Sequence, residues 1–192
     1  MIRWPGHIKP GSVSNDIVSG LDWVPTFMAV AGDTDITDKL LKGYEAGGAT
    51  FKVHLDGYNQ LPYLTGQQEH SARKEFVYFN DDGDLVAMRY ENWKVVFEEQ
   101  RAPGTLRIWA EPFTKLRVPK LFDLHSDPYE RADVTSNTYY DWFMSNPAAF
   151  MASQAVVAKF LSTFKDYPPS QRPASFSIDQ IVEQMQRSLG GQ

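Results

Sequence analysis

The chain is an α+β sequence, on the strength of three observations. Three consecutive runs, EFVYFN, LVAMRYE and WKVVFEE, are rich in β-branched and aromatic residues and joined by the turn-forming connectors DDGD and EN, which predicts an antiparallel meander. A helical stripe of Phe150, Val157, Phe160, Leu161 and Phe164 follows, long enough to cover one face of that sheet. Ahead of both, GLDWVPTFMAVAGD carries apolar residues at spacings of three and four, which predicts a shorter helix with its own buried face.

The elements follow in order. MIRWPG reads as the end of a buried strand, and residues 5–16, PGHIKPGSVSND, as the loop leaving it. In the first helix Asp22 is the expected N-cap, because Pro25 then occupies the third helical position, where its missing N–H has no intrahelical partner. Gly32 closes the helix, and Val24, Phe27, Met28 and Ala31 form its expected buried face. Residues 34–57 have a weak pattern: a loop at Gly47-Gly48, then a short extended piece, ATFKVHLDG. GYNQLPYLTGQQ predicts one or two helical turns entered at Pro62 and ended by Gly66. Two further extended runs, LRIWAE and KLFDLH, flank Pro112 and Pro119 and raise the expected sheet to four or five strands. The long helix is expected over residues 148–166, starting after Asn146-Pro147. A Pro-rich segment, DYPPSQRPASFS, then leads to a short final helix, IDQIVEQMQRSLGG.

Composition narrows the functional classes. The 192 residues carry 19 basic and 24 acidic side chains, a net charge of −5, and no run of Lys or Arg, so nucleic acid is not an expected partner. No stretch approaches the ~20 apolar residues of a membrane span, and no membrane partner is expected. Without cysteine there is no disulfide, no thiolate metal site and no cysteine nucleophile.

Few residues are arranged for chemistry. His7, His54, His70 and His125 are scattered, with no pair at the i, i+4 spacing of a helical metal site. Asn80-Asp81-Asp82-Gly83-Asp84 is rich in oxygen ligands but lacks the alternate acids and closing Glu of a calcium loop, so a hairpin turn accounts for it. Gly47-Gly48 has no phosphate-loop spacing. Trp93 and Lys94 could suggest a stacking platform, although strand alternation produces the same composition. Ser71 and Ser145 have no ordered His and acid near them in sequence. On these grounds no catalytic or metal-binding residue is assigned, and substrate-binding residues stay unassigned.

Four segments together carry a family resemblance. Arg3-Trp4-Pro5-Gly6, a loop, then Asp22-x-x-Pro25-Thr26 and a helix ending Ala31-Gly32 resemble an ordered stretch of the sulfatase family. Asp56-Gly57, Leu61-Pro62 and Leu64-Thr65-Gly66 are similar to its next segment, and Leu121-Phe122-Asp123-Leu124, Asp127-Pro128 and Glu130 to its strand-and-turn box. The tail FKDYPPSQRPASFSIDQIVEQM is similar to tails of bacterial arylsulfatases.

The resemblance implies a fold and a place within a larger enzyme. Residues 1–70 would be the last elements of a large α/β domain of the alkaline phosphatase type. Residues 71–192 would form the small C-terminal domain, an antiparallel sheet of four to five strands packed by a C-terminal helix. Family chemistry is sulfuric ester hydrolysis by a formylglycine made in a Cys/Ser-x-Pro/Ala-x-Arg motif, with a calcium ion held by Asp and Asn. Ser145-Asn146-Pro147-Ala148-Ala149 has Ala149 where the Arg should stand, so no position matches. The catalytic half is therefore expected upstream of residue 1, and this chain alone is expected to be inactive.

The resemblance implies several further expectations. The partner is the catalytic domain, in the same or a separate chain, and the parent enzyme is periplasmic or secreted. Arg101, Trp109 and His70 are the residues expected nearest a substrate entrance. The alternative is a non-catalytic binding or assembly module derived from the same C-terminal domain. Its mark would be a first helix whose Val24, Phe27 and Met28 need a partner, such as a second copy of the chain in a homo-oligomer.

Overall fold

A computed structural model describes residues 1–102 and 104–168. The Pro-rich segment from residue 169 and the final helix expected there lie outside the described residues. Two compact units emerge, the first Met1–Phe76 with Lys165–Tyr167, the second within Val77–Phe164.

In the first unit, Ser19 opens a 3-10 turn, Gly20–Asp22, which runs straight into α1, Trp23–Val30. Asp22 stands at the N-cap of α1 as expected, but its carboxylate turns back to accept from Ser19 N–H, while Ser19 Oγ accepts from Leu21 N–H. Gly32 adopts a left-handed φ of 97° just after the helix, the conformation glycine takes at no steric cost. The buried face of α1 is the reverse of the expected one. Pro25, Thr26 and Ala29 are buried, whereas Val24, Phe27 and Ala31 are exposed and Met28 is half-buried. Asp22 and Thr26 belong to a polar network whose partners come from the next fifty residues, and burying that network turns the apolar stripe outward.

Next come α2 (Ile36–Lys42) and a small hairpin, β1 (Tyr44–Ala46) with β2 (Ala49–Phe51), where a weak pattern predicted a loop and one extended piece. Gly47 and Gly48, both at positive φ, make the two-residue turn, and Tyr44 pairs with Phe51. The single-turn helix α3, Leu61–Leu64, has Pro62 in its first turn and Gly66 beyond its end, as the sequence predicts.

The sheet comprises β3 (Glu75–Phe79), β4 (Leu85–Tyr90), β5 (Trp93–Glu99) and β6 (Thr114–Asp123), paired in that order. The meander and KLFDLH are strands as predicted. LRIWAE is not: it forms a turn and a short helix, α4, Arg107–Ala110, which leaves four strands in the sheet among the described residues. Its β-like composition loses because Gln100 Nε2 donates to the Ile108 and Glu111 carbonyls, tying the segment into a closed loop.

Register places the core of the second unit. Met88 pairs with Val95 and Val95 with Leu121, a row across three strands in which all three side chains are fully buried. At β6 the Tyr139 hydroxyl donates to the Leu121 carbonyl at 3.0 Å and accepts from its N–H at 2.9 Å. A side chain thus satisfies the backbone that a neighbouring strand would otherwise pair.

Two helices that the sequence reading did not anticipate, α5 (Ala132–Thr135) and α6 (Tyr139–Ser145), lead to α7, Pro147–Ser162, continued by a 3-10 turn, Thr163–Lys165. α7 packs on β4 and β5, with Phe160 against Phe79 and Phe164. Leu161 is exposed rather than buried, and Ser153 takes a place on the covered face, returning its hydroxyl to the Ala149 carbonyl.

Candidate functional site

Two clusters of polar residues stand out, one in each unit. In the first unit the carboxylate of Asp22, fully buried, lies against the buried guanidinium of Arg73. Nη2 and Nε donate to it at 2.6 and 3.1 Å. Tyr58 N–H and Gln60 Nε2 donate to the same carboxylate at 2.9 and 3.1 Å. Gln60 Oε1 accepts from Ser71 Oγ, and Thr26 Oγ1 accepts from Gln60 N–H. Arg73 spends its remaining donors on the Asp56 and Glu75 carbonyls and lies over the Tyr58 ring.

Burial alone would raise the Asp22 pKa, but Arg73 and the backbone donors outweigh it and hold the carboxyl below its ordinary range. Burial and the hydrogen bond to Glu75 push Tyr58 up to about 12. With its charges answered and its donors placed, this network holds three segments together and has no reactive group to spare.

The second cluster lines an open cleft of about 700 Å³ on the sheet face that carries Val96, Lys120 and Phe122. This face is opposite to the Met88, Val95 and Leu121 row, because neighbouring strand residues alternate. Lys120 Nζ sits between Glu99 and Asp133, the latter at 2.5 Å. Arg101 Nε donates to Glu99 at 2.5 Å, and Lys94 pairs with Glu130 at 2.7 Å. Burial opposes both shifts, yet the pairing keeps Glu99 low and Lys120 high, so both stay charged. Val134 and Tyr140 complete the rim. The lining includes no serine, threonine or histidine. Its lysine and carboxylates are committed to one another as ion pairs.

The sequence-derived candidates are divided between the two units. Arg101 reaches the cleft, and Trp109 sits exposed on α4 within the same β5–β6 connection. His70 belongs to the first unit, exposed beside Asp16 at 3.4 Å. His7 stacks on Trp4, and His54 pairs with Asp56 beside the Tyr167 ring. Ser71 is buried and donates to the Ile17 carbonyl, and Ser145 donates to the Asp141 carbonyl within α6. Asn80 and Asp84 close a hairpin turn through Asp84 N–H to Asn80 Oδ1. Trp93 stacks on Trp142, and Lys94 lies over Tyr78, so the suggested platform is engaged internally. The paired charges of the cleft escaped sequence reasoning because their partners lie up to 36 residues apart.

The formylglycine and calcium implied by the resemblance find no fit in these residues. There is no cysteine, Ser145 and Pro147 start or end helices, and no group of three His, Asp or Glu among the described residues could hold a metal ion. Nor is any helix of the described residues long and apolar enough to cross a membrane.

Residues 71–188, more than half of the chain, match the model of the C-terminal region of aryl-sulfatase. Human arylsulfatase A is 30% identical over 137 residues, covering 66% of this chain and 24% of that protein. Steryl-sulfatase of Rattus norvegicus is 29% identical over 153 residues, covering 72% and 24%. Arylsulfatase of Hemicentrotus pulcherrimus is 26% identical over 178 residues, covering 83% and 29%. The chain thus spans about a quarter of the length of the curated relatives it matches. The crystal structure of PsFucS1 sulfatase from Pseudoalteromonas sp. superposes with a TM-score of 0.65 at 22% identity, over 88% of this chain and 30% of that one, a likeness of fold. The chain belongs to the sulfatase family, and residues 71–188 are its version of the family's C-terminal region.

Proposed function

We propose that this chain is the C-terminal part of an arylsulfatase-like sulfuric ester hydrolase, and that the chain alone does not turn over substrate. The observation that carries this reading is the match of residues 71–188 to the C-terminal region of aryl-sulfatase. The formylglycine, the calcium ion and their ligands belong to a catalytic region supplied by the same or a separate chain. The β5–β6 connection, with Arg101 and Trp109, faces the substrate entrance of the assembled enzyme. By analogy with bacterial members of the family the enzyme works in the periplasm or outside the cell.

Release of 4-nitrophenol from 4-nitrophenyl sulfate, with and without calcium, tests the proposal. The chain alone is expected to be silent, and the chain joined to the sequence encoded immediately upstream is expected to be active. Turnover by the chain alone, or an upstream region without a Cys/Ser-x-Pro/Ala-x-Arg motif, would overturn it.

A second reading, a non-catalytic binding or assembly module, is favoured by the exposed apolar face of α1, where Phe27 is 63% exposed. It requires the isolated chain to associate, and a monomer at all concentrations in size-exclusion chromatography would count against it.

A further inference from the structure

Aspartate followed by glycine occurs at Asp56-Gly57 and at Asp82-Gly83, and the fold treats the two bonds differently. Glycine has no Cβ to keep its backbone nitrogen away from the side-chain carboxyl carbon of the residue before it. For that nitrogen to reach the carboxyl carbon, the rigid peptide plane between the two residues has to rotate. The aspartate carbonyl and the glycine N–H turn with it.

At Asp56-Gly57 that plane is pinned. The Asp56 carbonyl accepts from the buried Arg73 Nη2 at 2.7 Å, and the same nitrogen donates to the buried Asp22. Gly57 lies so close to its neighbours that a Cβ would fall 2.1 Å from the Leu21 carbonyl oxygen and 3.1 Å from Pro25 Cδ. The Asp56 carboxylate is drawn to His54 at 3.3 Å. Rotation there means breaking the polar network around Asp22.

At Asp82-Gly83 little opposes it. Both residues are exposed, in the turn between β3 and β4. Neither the Asp82 carboxylate nor the Asp82 carbonyl has a hydrogen bond or ion pair among the described residues. One bond holds the plane, from Gly83 N–H to the Asn80 carbonyl at 3.1 Å. A bond at an exposed turn opens at small cost.

We infer that Asp82-Gly83 is a site of spontaneous isomerisation to isoaspartate, and that folding protects Asp56-Gly57 from the same reaction. The Gly83 nitrogen gives up its proton and bonds to the Asp82 side-chain carboxyl carbon, from which a hydroxyl leaves as water, closing a succinimide ring. Water then opens the ring. Addition at the side-chain carbonyl restores aspartate, and addition at the backbone carbonyl leaves the chain running through the side chain. One water is released and one taken up, and nothing is oxidised or reduced. The product has an extra methylene in the backbone of the turn and a free α-carboxylate. The reaction belongs to this one peptide bond; the other carboxylates of the turn take no part, and hydrolysis of a sulfate ester is not involved.

Ageing the full chain in warm, near-neutral buffer tests it. Isoaspartate is read by methylation with an isoaspartyl carboxyl methyltransferase and labelled S-adenosylmethionine, and placed by electron-transfer fragmentation of tryptic peptides. The peptide 75–89 holds Asp82 and the peptide 53–73 holds Asp56. Label at Asp82 should exceed label at Asp56 by about tenfold or more, which corresponds to a local opening at Asp56 that costs about 1.4 kcal/mol more. The same ageing in urea should close that gap, because the Asp56 plane is then free. Asp82→Glu should abolish the label in 75–89, since its longer side chain closes a larger ring less readily. The position is exposed, so an unchanged thermal melt will show that this variant folds. Absence of label at Asp82, equal label at the two sites in the folded chain, or label at Asn80 in place of Asp82 overturns the inference. A gap that persists in urea overturns the protective role of the fold.

Discussion

Asp22 and Arg73 stand 51 residues apart and form the most deeply buried ion pair described. Removing one partner strands the other charge away from water, so Arg73→Met should destabilise the chain by about 3–5 kcal/mol in a urea melt, far more than an exposed pair would. Asp22→Asn/Arg73→Met should recover part of that loss, because no charge is then left buried and a side-chain oxygen still accepts from the Tyr58 N–H. The pH dependence follows from the depressed carboxyl. A group whose folded pKa lies below its unfolded value stabilises above the unfolded value, here the ordinary 3.8, and loses that contribution as pH falls through the folded value. Acid titration monitored by urea midpoint should therefore show a loss below about pH 4 that is absent in the double variant.

Gly57 is fixed by the same corner. A Cβ there would lie 2.1 Å from the Leu21 carbonyl oxygen, backbone that cannot step aside while Tyr58 N–H is bound to Asp22. Gly57→Ala should cost on the order of 3 kcal/mol by the same melt, and an unchanged midpoint would refute the close approach.

At the scale of elements, Tyr139 and β6 are coupled. Tyr139→Phe keeps the ring among Phe122, Trp142 and Phe143 but leaves the Leu121 N–H and carbonyl without their hydroxyl partner. A loss of ~1–3 kcal/mol is expected, with faster hydrogen exchange confined to β6. The strands were legible because alternation is a local signal: Met88, Val95 and Leu121 each sit in a run whose period is two. Partners distant in sequence were not legible. Periodicity marked Val24 and Phe27 as the inner face of α1, and the outcome was reversed by Arg73 and Gln60, which a window on that helix does not contain. LRIWAE failed similarly, since its apolar composition is strand-like and only the Gln100 side chain, from outside the run, selects the turn and helix. The family-like motifs fare better because they record the contacts themselves. Asp22, Thr26 and Gly57 meet around Tyr58, and Asp123 accepts from Asn92 and His125 to shape the turn after β6. None of this located the cleft, whose Lys120 joins strands to α5 across charges that look like ordinary surface residues in sequence.

At the scale of the whole molecule, the exposed face of α1 and the turn before it separates folding from assembly. Leu21, Val24, Phe27 and Val30 recur at intervals of three and are all exposed, so together they form an apolar stripe that the described residues leave uncovered. Because these side chains are already in water, replacing Val24 and Phe27 by Ser should move the urea midpoint little, in contrast to the large cost at Arg73. Their effect should appear in association instead. Sedimentation velocity of the unaltered chain is expected to show concentration-dependent growth in apparent mass, and the Val24→Ser/Phe27→Ser variant should remain monomeric over the same range. In the assembled enzyme proposed above the same substitutions should lower the yield of active protein without altering the KM for 4-nitrophenyl sulfate, since the stripe meets protein rather than substrate. A variant that associates like the unaltered chain would show that the stripe is not the contact. A raised KM at normal yield would place it at the substrate instead.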